Sequence, residues 1–300
     1  MTNRIFLILT LLCFVWGCES DGKRGSGKKQ VNSATQQEQT DDKVKRIKRI
    51  FYSLPSPLEL TMLFKKEGAE YDTESLHDIQ KRNDYLLTNK KALNLGVYGA
   101  DLSYAGLFGN HQDAIEFFAA TQIIAEDLGI GQTFQNQFIS RLERNADNKD
   151  TLLEVISDFF LENDSYLKDL NRQDVSTYVL AGGWIEGIYL GTSMALNNEN
   201  TEGIKHIIYG QRNSLENLNV LLENLTDKKG SEWLVDAVKS LEEDFNKLAE
   251  NEMQMSNSAK EEDGVLKITS DTDVNEIQYS DSTFMIIKDK VAEIRTRIIE

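Results

Sequence analysis

The position of its prolines is the feature of this 300-residue sequence that most restricts its fold. Both prolines stand in the run Tyr52-Ser-Leu-Pro55-Ser-Pro57, and none occurs from residue 58 to residue 300. Proline interrupts helices because it lacks a backbone N–H and clashes with the preceding turn. Its absence from so long a stretch, in which apolar residues recur at spacings of three and four, predicts a body built almost entirely of helices.

The same periodicity predicts where the helices lie. Pro57 suits the first turn of a helix, and strand patterns are confined to residues 265–269 and 276–279. The predicted fold class is all-α, with antiparallel helical hairpins packed as a bundle or short superhelix and room for one small β-hairpin near residues 265–279. After the helix that begins at Pro57, we expect helices at about residues 74–88, 90–108, 111–128, 132–145, 151–170, 174–198, 201–225, 231–255 and 283–299.

The first eighteen residues predict where the protein goes. Arg4 precedes an apolar run from Ile5 to Trp16, which is typical of a signal peptide and too short to span a bilayer. The run closes with Val15-Trp-Gly-Cys18, which resembles the lipobox of bacterial lipoproteins. That resemblance implies a signal peptide over residues 1–17 and acylation of Cys18, palmitate included. The alternatives are an uncleaved apolar anchor or a signal cut elsewhere.

The cysteine count limits the chemistry of the mature chain. The sequence has two cysteines, Cys13 and Cys18, and cleavage before Cys18 leaves one, whose sulfur is already in a thioether. Disulfides, thiol catalysis and cysteine-based zinc sites are then excluded.

Charge is unevenly distributed along the chain. There are 33 Lys plus Arg against 49 Asp plus Glu, a formal net charge of −16, which argues against a nucleic-acid partner. Residues 19–52 carry nine cations and five acids, a net of +4, and residues 53–300 carry 23 cations and 44 acids, a net of −21. We interpret residues 18–42 as the acylated cysteine followed by a flexible polar tether, and residues 43–300 as a helical domain.

A short basic segment joins the tether to that domain. In Lys43-Val-Lys-Arg-Ile-Lys-Arg-Ile-Phe51 the apolar residues Val44, Ile47 and Ile50 recur at spacings of three. This is the pattern of an amphipathic helix that lies on anionic headgroups. The alternative, which we prefer, is a first helix that packs on the acidic body.

Two predicted helices share a short pattern, and both are rich in glycine and alanine. Asp101, Tyr104 and Gly106 stand at the same spacings as Glu186, Tyr189 and Gly191. Helices that are polar on no face are buried, and their small residues let backbones approach closely. The pattern suggests two related helical units, about residues 52–170 and 171–257, with residues 258–300 as a C-terminal appendage.

The acids of these two helices are the sharpest candidates for a functional site. A carboxylate on a mostly apolar helix is rare without a partner. Asp101, Tyr104, Glu186 and Tyr189 therefore form a candidate polar site, in which two facing carboxylates share a proton or hold a cation. The structural alternative, which we prefer, is that each acid accepts hydrogen bonds from a tyrosine, from the indole of Trp184 or from a helix N-terminus.

No other pattern in the sequence indicates catalysis, a metal or a cofactor. A di-iron bundle needs two Glu-x-x-His pairs, and only Glu74 and His77 fit one. Residues 271–275 resemble the opening of a calcium loop, but Glu276 stands where such a loop needs glycine. There is no phosphate-binding loop and no Gly-x-Ser-x-Gly. We therefore predict no catalytic residue, no metal and no cofactor.

Several runs of this chain together resemble a family of all-helical lipoproteins of Bacteroidota. The runs are Tyr52–Pro57, Leu95–Tyr104, Asp127–Ile130, Arg141–Asn145 and Ala181–Tyr189, and the resemblance spans roughly residues 50–225. It implies a helical fold and an anchor in the membrane, the outer one in our interpretation, on its periplasmic face or at the cell surface. It transfers no catalytic residue.

The predicted function is a non-catalytic binding or scaffolding role in the envelope, with a membrane contact through the lipid and an envelope protein as candidate partner. The competing hypothesis is a solute-binding protein or an enzyme with its polar site around Asp101 and Glu186.

Overall fold

Helices make up nearly all of the chain that the computed structural model describes. The description covers residues 53–130, 172–197, 201–256 and 281–300, the short segments 153–158, 260–262 and 265–267, and residues 45, 49, 50, 141, 144, 151 and 167. The α-helices with described bounds all lie in one compact unit, residues 46–300. They are α1 (Pro57–Lys66), α2 (Thr88–Phe108), α3 (His111–Asp127), α4 (Gln173–Leu196), α5 (Thr201–Tyr209), α6 (Arg212–Glu223), α7 (Glu232–Ser256) and α8 (Asp281–Ile299).

The all-α prediction is confirmed, and the local sequence explains several helix ends. At the start of α1 the Ser56 hydroxyl accepts from the Glu59 N–H, and the Glu59 carboxylate accepts from the Ser56 N–H, which is a capping box. α2 ends at Gly109, whose φ of 80° lies in the left-handed region that favours glycine. The predicted helices over 132–145 and 151–170 lie mostly outside the described residues.

Two of the predicted helices are wrong in part. Residues 74–88 form no α-helix: they belong to a connection, residues 67–87, that holds two short 3-10 turns, Thr73–Ser75 and Ile79–Asn83. The Asp72 and Asp78 carboxylates accept from backbone N–H groups two residues on, which competes with helix formation. We call residues 67–87 the strap. The predicted helix 201–225 is two helices, because the helix is interrupted at Gly210 and Gln211.

One small hairpin accompanies the helices. Strand β1 (Lys260–Glu262) pairs antiparallel with β2 (Val265–Lys267), with Glu262 opposite Val265. The prediction placed the hairpin at 265–279, and its second strand, 276–279, lies outside the described residues. The overlooked signal is Asp263-Gly264 between the strands, since Asp-Gly favours two-residue hairpin turns.

α4 is the central helix of the bundle. It contacts α1, α2, α5, α6 and α8, and it is buried nearly all round. α1, α2 and α4 run in the same direction. Along α1 and α4, Pro57 packs on Gly183 and Phe64 on Gly191, and the end of α1 meets the end of α2, where Lys65 bonds to the Leu107 carbonyl. α8 runs the opposite way.

Glycines set the close contact between α2 and α4. A Cβ on Gly96 would lie 2.0 Å from the Val179 carbonyl oxygen, and a Cβ on Gly182 would lie 1.9 Å from the Leu93 carbonyl oxygen. The two backbones therefore touch where a side chain would not fit. On the next face of α4, Gly187 faces Leu60 and Gly191 faces the ring of Phe64. The expected role of the small residues is confirmed.

α8 is fixed in place by side chains of α2. The Lys90 ammonium donates to the carbonyls of Arg297 and Ile298, and the Asn94 amide donates to Ile298 at 2.9 Å. These carbonyls belong to the last turn of α8, where the helix itself offers no donors. On its buried face α8 carries Phe284, Ile287, Val291, Ile294 and Ile298.

The basic segment before Ser53 is described at only a few positions. Arg49 and Ile50 are helical, Arg49 is exposed, and Ile50 is partly buried against the hydrophobic core. Val44 and Ile47, the other two apolar residues of the predicted stripe, lie outside the described residues. The one described residue of the stripe thus contacts the body.

Candidate functional site

The two acids that the sequence singled out meet in the core. Asp101 lies in the middle of α2 and Glu186 in the middle of α4, a few residues beyond the glycine contact. Both side chains are 0% exposed, and the negative charge of Glu186 helps to raise the pKa of Asp101. Two buried carboxylates with a single arginine would leave one negative charge uncompensated in the core, so we expect the pair to hold one proton.

Arg295 of α8 balances the pair. Its Nε donates to Glu186 Oε2 at 2.7 Å, and its second terminal nitrogen donates to Glu186 Oε1 at 2.9 Å. The same nitrogen donates to the Ser75 carbonyl of the strap at 3.2 Å. This is a bidentate pairing, the strongest geometry between arginine and a carboxylate. Burial by itself would lower the pKa of Arg295, but the charge of Glu186 and its hydrogen bonds raise it above its ordinary value.

The shared proton belongs to Asp101. Its Oδ2 accepts from the His77 backbone N–H at 3.1 Å, and Oδ1 has no donor among the described residues. Burial, and then the negative charge of Glu186, raise the pKa of Asp101 well above its ordinary value. Burial raises the pKa of Glu186 as well, but the charge of Arg295 and its hydrogen bonds oppose that rise. With Asp101 neutral and Glu186 ionised, the triad with Arg295 has no net charge.

The two tyrosines of the shared pattern do different work. The ring of Tyr189 lies beneath the Arg295 guanidinium, 4.1 Å from ring centroid to Cζ, a cation–π contact. Tyr104 lies apart from the ion pair: its hydroxyl donates to the Glu70 carbonyl at 2.9 Å and accepts from the Asp72 N–H at 2.7 Å. The first copy of the pattern thus holds the strap, and the second copy holds Arg295.

The strap covers the carboxyl pair and is held by hydrogen bonds from side chains of α2 and α4. Tyr98, Asp101 and Tyr104, spaced by three on one face of α2, bond to its backbone at Asp78, His77 and the Glu70–Asp72 turn. The Ser75 hydroxyl bonds to Ser193 of α4 at 2.6 Å. A ligand would have to displace the strap or α8 to reach Asp101 or Glu186.

His77 sits in the same polar layer as a neutral side chain. Its Nε2 bonds to the Tyr85 hydroxyl at 2.6 Å, and its ring stacks on Tyr98 with 4.8 Å between centroids. Burial, and then the positive charge of Arg295, lower the pKa of His77 to about 3. The imidazole is therefore uncharged at neutral pH.

Three of the four predicted site residues come together. The prediction did not include Arg295 or the backbone N–H of His77, which bond to the two acids. Asp101, Glu186 and Tyr189 meet at Arg295, whereas Tyr104 does not. The donors that we expected are also wrong, because the Trp184 indole nitrogen has no hydrogen-bond partner among the described residues and the acids bond to Arg295 and His77 instead. Arg295 shares a helical face with Val291 and Ile298, and a cation on an apolar stripe signals a buried partner.

The Glu-x-x-His pair that resembles half of a di-iron motif does not converge on a metal position. The ring of His77 bonds to Tyr85, away from Glu74, which is exposed. Over the described residues, no group of three His, Cys, Asp or Glu side chains is arranged to hold a metal ion. Residues 271–276, which resemble the opening of a calcium loop, lie outside the description.

The predicted lipid site, Cys18, also lies outside the described residues. Within the described part of the chain, no helix has both the length and the apolar character needed to cross a membrane. α4, the longest apolar stretch among them, carries the buried charge of Glu186 instead.

Chemically the described site is a closed, self-neutralised triad. Glu186 and Arg295 already bond to each other, and Asp101 is buried and held by the His77 N–H. The arrangement therefore stores one proton where α2, α4 and α8 meet. No family model, no curated protein and no solved structure matches this chain.

Proposed function

We propose that this chain is a lipid-anchored protein of a bacterial envelope that binds or organises a partner and does not catalyse a reaction. The observation that carries the second half of the proposal is the buried triad. The two acids best suited to chemistry are fully buried and already bonded to Arg295 and His77. Their role is then to hold three helices and the strap together, which leaves function to the surface and the anchor.

The first half of the proposal rests on the sequence. The apolar run and Val15-Trp-Gly-Cys18 support export and acylation at Cys18. The resemblance to helical lipoproteins of Bacteroidota supports the same location, and we propose the outer membrane. Two or three acyl chains on one cysteine anchor a protein stably, whereas a single chain binds only marginally.

Anchoring is tested by replacing the acylated residue. Cys18→Ser should lose the lipid label and leave the membrane fraction, and Cys13→Ser is the matched control that should keep both. A Cys18→Ser chain that still carries lipid contradicts the proposal.

The binding role is tested with the acids. An unbiased pull-down from membranes with the lipidated protein identifies a partner. The pull-down is then repeated with Asp101→Asn and Glu186→Gln, each below its melting temperature, and the recovered partners are compared with those of the wild type. If the acids are structural, the folded variants recover the same partner and differ only in stability. Loss of ligand binding without unfolding would instead support the solute-binding protein or enzyme.

A further inference from the structure

The strap, residues 67–87, is held to the bundle mostly by hydrogen bonds to its backbone. Ala69, Ser75, His77 and Tyr85 are its buried side chains, and the rest of the strap is partly or fully exposed. It contains two 3-10 turns and no α-helix, and water can replace the hydrogen bonds from α2 and α8 once the strap lifts. A segment with few buried apolar groups and many replaceable hydrogen bonds opens locally while the rest of the fold stays intact.

Both ends of the strap lie at the surface. At the first end Gly68 is exposed, its φ is 85°, and a Cβ there would meet open space. At the other end the side chains of Leu86 and Leu87 are 87% and 59% exposed. Rotation at these two ends moves exposed groups rather than packed ones, so the strap can swing away from α2 as a unit.

Two neutral titratable groups meet where the strap covers α2. Asp101 of α2 is 0% exposed and His77 of the strap is 4% exposed, and the His77 backbone N–H donates to Asp101 Oδ2 at 3.1 Å. The His77 ring bonds to the Tyr85 hydroxyl, and Arg295 is paired with Glu186, so neither group has a counter-charge of its own. A buried titratable group without a counter-charge is neutral. In the closed chain Asp101 therefore holds a proton and the His77 ring lacks one.

The other titratable groups around this pair keep their charge when the strap lifts. Glu186 and Arg295 belong to α4 and α8, so their ion pair stays. Several exposed or half-exposed groups hold their charges in contact with water in both positions: Asp72, Asp78, Lys81 and Asp84 of the strap and Asp113 of α3. Burial raises the pKa of the nearby tyrosines, which stay neutral below about pH 8: Tyr71 and Tyr85 of the strap and Tyr98 and Tyr104 of α2. Among all these groups, Asp101 and His77 are the ones whose proton count changes.

We propose that opening of the strap is coupled to a proton exchange, in which Asp101 releases its proton to solvent and the His77 ring takes one up. The carboxylic O–H of Asp101 breaks and an N–H forms on the imidazole, so the number of bound protons is unchanged when both steps occur. The closed strap keeps solutes from the acids, and the open strap exposes them. The inference goes beyond the binding role proposed above and does not depend on the lipid anchor.

Each half of the exchange has its own pH range. The pKa of His77 is about 3 in the closed chain and about 6.5 once water reaches the ring. Its contribution to the closed state is present above about pH 6.5 and is lost as the pH falls. Burial and the charge of Glu186 raise the pKa of Asp101 in the closed chain, so its contribution is present below about pH 4 and is lost as the pH rises. Between these limits the two effects cancel, and the closed strap is most stable there.

The test is amide hydrogen exchange of the full chain, measured by mass spectrometry from about pH 4.5 to about pH 8. Dividing each exchange rate by the intrinsic rate of the unfolded peptide gives the opening constant of the segment. We expect the Asp72 and His77 amides, which different side chains of α2 hold, to share one constant, about tenfold or more above that of amides in the middle of α2. In the wild type this constant should be level up to about pH 6.5 and then rise by up to about tenfold per pH unit.

Two variants separate the halves of the exchange. Asp101→Asn removes the proton of the acid, so its opening constant should be level above about pH 6.5 and rise about tenfold for each pH unit below it, where the wild type is level. His77→Gln keeps an amide that can bond to the Tyr85 hydroxyl but removes the imidazole. Its opening constant should therefore rise with pH over the whole range.

A wild-type pH profile with the same slope as both variants overturns the inference. Strap amides that exchange no faster than those of α2 also overturn it, because the strap then opens only when the whole chain unfolds. If His77→Gln does not fold, Asp101→Asn decides alone: a rise in opening toward acidic pH shows proton uptake by His77, and the wild-type profile would contradict it. None of these measurements depends on acylation of Cys18, so they leave the proposed anchoring to its own test.

Discussion

Arg295 on the last helix donates two hydrogen bonds to Glu186 in the middle of α4, across 109 residues of sequence. Glu186 is completely buried, and so is Asp101 of α2, whose pKa the charge of Glu186 raises. A buried ion pair adds little net stability compared with apolar packing, but removing one partner leaves an uncompensated charge in the core. The triad therefore makes the native arrangement of α2, α4 and α8 depend on all three residues.

The first prediction is an asymmetry between the two acids. Glu186→Gln removes the negative charge that Arg295 needs, and it should lower the free energy of unfolding by about 3 to 5 kcal/mol. Asp101→Asn should cost less than about 1 kcal/mol, since an amide can donate to Glu186 and accept from the His77 N–H as the protonated acid does. Urea denaturation of both variants measures the difference, and equal losses would contradict the assigned proton.

The second prediction concerns pH. Burial and the charge of Glu186 raise the pKa of Asp101, so the folded chain keeps a proton that the unfolded chain releases above about pH 4. The corresponding stability is fully present below that pH and is lost as the pH rises toward the folded pKa, at about 1.4 kcal/mol per pH unit. Asp101→Asn has no such proton, so its stability should gain on that of the wild type as the pH rises.

His77 has the opposite effect on the pH dependence of stability, and its effect falls at acidic pH. Its pKa is lowered to about 3, so the stability linked to its neutral ring is present above about pH 6.5 and is lost as the pH falls toward 3. Wild type and Asp101→Asn share this effect, and the difference between their two pH profiles isolates Asp101. Parallel profiles from pH 4 to 8 would show that Asp101 is ionised in the folded chain.

The third prediction tests the backbone contact between α2 and α4. A Cβ at position 96 or 182 would lie about 2 Å from a backbone carbonyl oxygen, so Gly96→Ala and Gly182→Ala should each destabilise by about 3 kcal/mol or more. Gly187→Ala is the control on the same helix, because its Cβ would meet only the flexible end of Leu60 at 3.1 Å. Helix propensity favours alanine by about 1 kcal/mol, so this control should be nearly neutral. Thermal unfolding ranks the three.

The fourth prediction separates the two tyrosines of the repeated pattern. Tyr104→Phe loses two hydrogen bonds to the strap and should cost about 1 to 3 kcal/mol, with faster amide exchange over residues 70–77. Tyr189→Phe keeps the ring beneath Arg295, and the structure gives its hydroxyl no hydrogen bond among the described residues, so it should be close to neutral. Equal effects would mean that the pattern has one common role.

Much of the fold was predictable because it depends on local patterns. Periodic apolar residues and the missing prolines placed α2, α3, α4, α7 and α8 within a few residues of their observed bounds. The strap was missed because its apolar residues imitate a helix, while Asp72 and Asp78 bond to the backbone and buried side chains of α2 hold it from below. Tertiary contacts there outweigh local propensity.

By itself, the sequence determined the helical class, the glycine-lined contact and the two acids that had to be buried with partners. Each of these follows from the composition of a single helix, since small residues permit close approach and a lone carboxylate on an apolar helix demands compensation. Only the tertiary structure decided what compensates them. Arg295 reaches Glu186 because Lys90 and Asn94 bond to the end of α8. Asp101 keeps its proton because the one arginine of the triad is paired with Glu186. Those outcomes depend on which helices meet, which no local pattern encodes.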